Sequence, residues 1–298
     1  MGEGTTRRRV LGDGVVAAVG AVALGALGSR AARAAEPSRE PGQAGIHLGL
    51  VTYLIGAKMD LPTLIKTCEQ TQMEGVELRS THAHGVEPHI DDAARQKVKE
   101  RFAKTKVKLV GLGSACEYHS PNPKVVKKNI EQTKAFVDLA ADLGAWGVKV
   151  RPNGLPKGVP EDKTLRQIAG ALRTCGDYAR DKGIVLFTEC HGRGTSDPAR
   201  MAQIMKYCDH SSVCLCWNCN GVDIDRKTGS IQANFDRCKP WIRHVHIHDL
   251  YAGYPYRELF GLLKDMKFAG YTMIEMGGTR DPVRVLRYYR ALWETMAL

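Results

Sequence analysis

The stretch RHVHIHDL, Arg243 to Leu250, places histidines at 244, 246 and 248, with Val245 and Ile247 between them. On a β-strand, side chains alternate faces, so the three imidazoles share one side, and Asp249 follows them. Such a face either lines a polar pore or holds a metal ion through at least one imidazole. Other strand-like runs also turn polar at their ends: Glu77-Leu78-Arg79, Lys149 and Arg151, Glu189 followed by Cys190 and His191, Asn218, and Glu275. Glu189 has the parity of Val185 and Phe187, Asn218 that of Cys214 and Cys216, and Glu275 that of Met273. Each polar tip therefore stands on an apolar or small inward column. Glu189, Asn218, His246 and Glu275, converging from neighbouring strands, would make a five- or six-coordinate site for a hard dication. Without an ion, two glutamates buried face to face would repel, and one would hold a proton. His244, one layer deeper, reads as a hydrogen-bonded core histidine. Glu77, Arg151, His191 and His248 stand as substrate contacts, with pairing to Arg79 or Arg151 the alternative for Glu77. His82, His84 and His119 read as loop residues at the mouth.

The elements that must carry these residues alternate. Strands are expected at 46–55, 75–80, 108–115, 146–152, 184–190, 212–218, 243–249 and 271–277. Helices are expected at 60–72, 91–106, 123–144, 161–183, 197–209, 230–241, 255–270 and 281–297. Asp60 and Asp197 read as N-caps, with Pro62 and Pro198 in the first turn; Gly144 reads as the glycine that ends a helix. Eight strand–helix units imply parallel pairing with right-handed crossovers, the count of a (β/α)8 TIM barrel over 45–298. A doubly wound open sheet is the alternative. The count of eight and the absence of a Gly-rich dinucleotide turn favour the barrel.

The first 34 residues read as an export signal, with Arg7, Arg8 and Arg9 as a basic region, a Gly/Ala-rich apolar run over 15–28, and Ala32-Arg33-Ala34 as a cleavage site. TRRRVL resembles a twin-arginine signal, which implies export to the periplasm or cell surface after folding, often with a cofactor aboard. A linker at 35–44 follows. The apolar run is too short and too rich in glycine for a good span, so no stable membrane span is expected after cleavage. The formal net charge is +11, of which the leader carries +3. No base-reading motif accompanies it, which argues against a nucleic-acid partner. Nine cysteines at irregular spacing make a poor disulfide framework. Cys214, Cys216 and Cys219 lack a matching second pair for a zinc knuckle and read as packing.

GVELR (75–79), FTECHG (187–192), WNCN (217–220), HVHIHD (244–249) and YTMIEMGG (271–278) carry a resemblance to the xylose-isomerase-like TIM-barrel superfamily, in particular its sugar phosphate isomerase/epimerase group. The resemblance runs from about the first strand to the C-terminus. It implies one divalent ion, most often Mn2+ with Co2+, Mg2+ or Zn2+ as alternatives, held by Glu189, Asn218, His246 and Glu275. It also implies that Glu189 and Glu275 act as the acid and base of an isomerase or epimerase, removing a proton beside a carbonyl and returning it through an enediolate. Three positions depart from the family pattern. Asn218 replaces the usual Asp, Gly221 replaces the usual His, and His248 stands where Lys is common.

The expected substrate is a small carbohydrate. An exported address makes a phosphorylated sugar a poor candidate. The same superfamily also suggests a metal-dependent lyase on 3-keto-glycosides, acting by β-elimination, or a sugar-binding protein impaired in catalysis by Asn218. An apurinic endonuclease would need more metal ligands than these positions supply. Assembly into a homo-oligomer is left open by the sequence.

Overall fold

The computed structural model describes residues 45–297, together with Met1. Apart from Met1, the expected export signal at 1–34 and the expected linker at 35–44 lie outside the described residues. Eight parallel strands close into a barrel in chain order, each strand pairing with the next and β8 closing on β1. The strands are β1 (Ile46–Leu54), β2 (Gly75–Arg79), β3 (Lys108–Glu117), β4 (Gly147–Arg151), β5 (Val185–Glu189), β6 (Val213–Trp217), β7 (Ile242–Ile247) and β8 (Gly270–Met276). The helices that follow them are α1 (Leu61–Gln70), α2 (Asp92–Ala103), α3 (Pro123–Leu143), α4 (Glu161–Asp181), α5 (Pro198–Cys208), α6 (Gln232–Cys238), α7 (Tyr256–Asp265) and α8 (Pro282–Ala297). This is the (β/α)8 barrel that the alternation predicts. Among the described residues no helix is long and apolar enough to cross a membrane.

The helices start and stop where the local chemistry directs. Asp60 and Asp197 accept hydrogen bonds from the main-chain N–H groups of Thr63 and Arg200, satisfying donors that the first turn leaves orphaned. Gly144 ends α3 at φ +74°, a left-handed conformation that costs glycine little.

Strand parity divides the apolar residues into two cores. One, packed between the barrel and its helices, includes Val76, Leu112, Val148, Leu186, Leu215, Val245 and Ile274. The other fills the barrel interior with Val51, Val110, Trp146, Val185, Phe187, Cys214, Cys216, Tyr271 and Met273. The inward columns expected beneath Glu189, Asn218 and Glu275 belong to this second cluster. All nine cysteines are buried and free.

After β6 the chain makes a short 3-10 turn, Gly221–Asp223, whose geometry fixes the exit toward the barrel mouth. Asp223 is buried; its carboxylate accepts from the Asn220 main-chain N–H at 2.7 Å and from the Tyr254 hydroxyl at 3.0 Å. The second oxygen, Oδ1, has no partner. Burial raises the Asp223 carboxyl to about 7, against the lowering effect of those two hydrogen bonds. The folded protein thus keeps a proton that the unfolded chain releases near pH 4. Stability from this group is present at acid pH and is lost as pH rises from about 4 to about 7. At about 1.4 kcal/mol per pKa unit, the loss is at most roughly 4 kcal/mol. Asp223→Asn is expected to raise the melting temperature at pH 8 and to leave it nearly unchanged at pH 4. Thermal unfolding of both proteins across that range checks it; equal pH profiles would show that Asp223 is ionised at no cost.

Candidate metal centre

Three glutamates enter the barrel from different strands. Glu77 of β2 lies level with Val51 of β1 and Gly111 of β3, in the middle of the sheet rather than at its rim. Glycine at 113 makes room for it, since a Cβ there would come within 2.8 Å of Glu77 Oε1. Its side chain has no accessible surface, and Oε2 accepts from His244 Nε2 at 3.0 Å and His246 Nε2 at 3.2 Å. The expectation that Glu77 contacts substrate or pairs with Arg79 or Arg151 is corrected here. As an inward mid-strand residue, it meets the histidines across the barrel. Burial opposes its ionisation, but the charge of His246 and the hydrogen bonds from both imidazoles outweigh that and hold it well below the usual carboxylate range.

That carboxylate orients His246. With Nε2 directed at Glu77, the ring turns Nδ1 toward the mouth, 3.7 Å from Glu275 Oε2. Nδ1 has no well-formed hydrogen bond. A carboxylate on one ring nitrogen is the usual partner of a metal-binding histidine. Burial disfavours the charged ring, but Cys216 and Glu77 hold its proton well above the usual imidazole range, and an ion at Nδ1 would take that proton's place. Donor atoms of Glu189, His246 and Glu275 all lie within 4.8 Å of one another. Asn218, just past the end of β6, is buried, and its Oδ1 has no partner. Three of the four residues singled out for the metal are thus brought together, and Glu189 Oε2, His246 Nδ1 and Asn218 Oδ1 are buried atoms without a hydrogen-bond partner among the described residues.

The two catalytic candidates are not equivalent. Glu189 is buried against Lys149, whose Nζ lies 2.6 Å from Oε2 but off the angle of a directed hydrogen bond, making the contact chiefly one of charge. Burial would neutralise both partners. The charge of Lys149 nevertheless holds Glu189 ionised, and the charges of Glu189, Glu77 and Glu275 hold the proton on Lys149. Glu275 is partly open to the mouth and, among the described residues, has no lysine or arginine within ion-pair distance. Three carboxylates against the Lys149 ammonium and the charged His246 ring leave one negative charge in the barrel; a dication at His246 Nδ1 would displace that ring's proton and so meet two. The donor set, the orphaned atoms and the charge all fit such an ion. Lys149 is the residue whose role here was not anticipated. A lysine at an inward position of the buried run GVKVR was the signal for it.

The remaining expected contacts divide. Arg151 ends β4 and pairs with Glu117 Oε1 at 2.5 Å, leaving its buried Nε without a partner. His191 follows β5, and its Nδ1 lies 2.5 Å from Asn153 Oδ1. Burial lowers its affinity for a proton. Both stand at the mouth. His248 lies beyond the end of β7, and its ring nitrogens face the main-chain carbonyls of Glu275 at 3.0 Å and Asn218 at 2.8 Å. It braces the ends of β6 and β8 through these contacts, while its ring stays partly exposed. His244 is the core histidine its parity indicates, stacked on Phe187 with ring centres 4.4 Å apart. His84 turns back to the Arg79 carbonyl, and His82 stacks on Tyr53.

Solved structures show the same architecture at low sequence identity. The 3-keto-D-glucoside 4-epimerase YcjR from E. coli superposes with a TM-score of 0.71 at 14% identity, over 84% of this chain and 99% of that one. An L-ribulose 3-epimerase gives 0.72 at 14%, over 85% and 94%. The IOLI protein with a bound zinc atom gives 0.68 at 15%, over 84% and 96%. No curated protein sequence matches the chain. Residues 65–292 match the model of a known family, and the chain therefore belongs to the xylose isomerase-like TIM barrel family.

Proposed function

We propose that the protein is a divalent-metal-dependent enzyme that removes a proton from the carbon beside the carbonyl of a keto sugar, as a sugar isomerase or epimerase. The observation that carries this reading is the convergence of Glu189, His246 and Glu275 donors within 4.8 Å. A bound dication would supply Lewis-acid charge opposite the oxygen that becomes negative as the proton leaves. Glu275, open to the mouth and free of a lysine partner, takes the proton. Glu189, fixed by Lys149, serves chiefly as a ligand. Arg151 and His191 bind sugar hydroxyls at the rim. The family's epimerases support a sugar substrate, and export by the segment at 1–34 would favour an unphosphorylated one. Mn2+ is the ion we favour, since the set is mainly oxygen.

One observation favours a second reading. Epimerisation needs proton carriers on both faces of the reacting carbon, and only Glu275 is placed to exchange a proton freely. A single base suffices for β-elimination from a 3-keto-glycoside, in which the proton leaves to Glu275, the electron pair forms the new double bond, and the glycosidic oxygen departs. Incubation with a 3-keto-glucoside in D2O separates the two. Recovered diastereomer carrying deuterium is the expected result for an epimerase, and released aglycone for a lyase. Neither product, from this substrate or from free ketoses, would end the reading.

Glu275→Gln is expected to lower turnover by roughly 10²–10⁴ with the fold retained, measured by steady-state kinetics and circular dichroism. Near-normal rates would remove Glu275 from the chemistry. Lys149→Met should tighten Mn2+ binding by about tenfold or more, because an ammonium beside a ligand repels the incoming ion. It should also destabilise the metal-free protein by about 3–5 kcal/mol, since a buried carboxylate loses its partner. Asn218→Asp should likewise tighten binding. Calorimetry reads both affinities, and unchanged or weaker values would separate these residues from the ion.

A further inference from the structure

Beneath the centre described above, the barrel interior holds a second set of donors of different character. Cys216 of β6, His244 and His246 each offer a ligand atom, all within 4.8 Å of one another, and all three residues are buried. The two imidazoles direct Nε2 at the same oxygen, Glu77 Oε2, at 3.0 and 3.2 Å. The nitrogen left on each ring is Nδ1, and neither has a well-formed hydrogen bond. Buried polar atoms are nearly always satisfied, so two such nitrogens beside a thiol need a reason. A metal-binding histidine almost always gives its other N–H to a carboxylate, and here one carboxylate serves two rings.

We propose that Cys216, His244 and His246 form a second metal seat, selective for thiophilic ions such as Zn2+, with Glu77 as the outer carboxylate that orients both imidazoles. Sulfur and imidazole are the donors such ions prefer, whereas the carboxylates and amide above suit harder ions. Donors around a tetrahedral zinc stand roughly 3.5 Å apart, so small side-chain rotations close the set. His246 has one free nitrogen and belongs to both sets, so the seats exclude each other. An ion seated below withdraws a ligand from the upper set, which makes the upper centre sensitive to thiophilic metals.

Cobalt(II) titration of the metal-free full chain tests this. Wild type, Cys214→Ser and Glu275→Gln are expected to develop a sulfur-to-cobalt charge-transfer band in the near ultraviolet, with one cobalt per chain at saturation. Cys216→Ser should lack that band while still binding cobalt through the upper donors. Cys214 is one step down the same inward column and outside the donor set, so it controls for a general effect of losing a buried thiol. A wild-type complex without the band, or an unchanged band in Cys216→Ser, overturns the proposal. Zinc X-ray absorption of the wild type needs no variant. One sulfur at about 2.3 Å supports the seat, and a shell of nitrogen and oxygen alone overturns it. The Glu275→Gln arm keeps this outcome separate from the fate of the proposed reaction. Cobalt bound by Cys216→Ser without the band reads the upper centre by itself, and a folded Cys216→Ser protein that binds no cobalt counts against the upper centre alone.

Discussion

Glu77, Glu189 and Glu275 project into one closed barrel, where water is scarce and each charge must be matched from within. The interior answers with several devices. Two imidazoles share Glu77, an ammonium sits against Glu189, and Glu275 is left near the opening, where solvent or a ligand can reach it. A buried carboxylate without such partners would take up a proton. The fold provides the framework for this arrangement. Parallel strands aim their inward residues at a common axis, and the C-terminal ends of those strands are where chemistry gathers in barrels of this kind.

The departures from the family pattern make sense against this charge balance. Asn218 brings an oxygen without a charge where an aspartate is usual. With Lys149 also inside, an aspartate at 218 would restore the negative charge that the ammonium cancels. Amide and ammonium each reduce the pull on a dication, so the proposed centre would depend on Glu189, His246 and Glu275. Replacement of Lys by His248 belongs to the same pattern. Instead of another ammonium at the rim, the chain carries a ring that ties the ends of β6 and β8 through main-chain carbonyls.

Much of the fold was legible in the sequence because its signals are local. Capping aspartates, first-turn prolines and terminal glycines mark the helices, and period-2 alternation divides the strand residues between two cores. The convergence of Glu189, His246 and Glu275 followed from parity and from strand order. The partners across the barrel did not follow, because they depend on register, tilt and reach. Glu77 was expected to contact substrate or to pair with Arg79 or Arg151, yet it meets histidines more than 160 positions away. Lys149 was visible as a polar residue on β4, but its contact with Glu189 depends on how two neighbouring columns interdigitate. Cys216 was read as packing, which its burial fits, and only the orientation of the two imidazoles gives it another use.

The same asymmetry bears on the reaction. A metal ligand and a proton carrier make opposite demands of a carboxylate. The ligand must stay ionised and fixed, whereas the carrier must gain and lose a proton while moving little. Glu189 meets the first demand, pinned by Lys149 in a dry interior. Glu275 is closer to the second, with partial exposure and with His246 and His248 as its ion-pair contacts among the described residues. Under the proposed reaction, the division of labour between two otherwise similar residues would follow from one lysine on β4. Chemistry that needs a single base therefore suits this barrel more readily than chemistry that needs two. For the protein to act as an epimerase, the second proton must come from water, from the rim, or from Glu189 after Lys149 has released it.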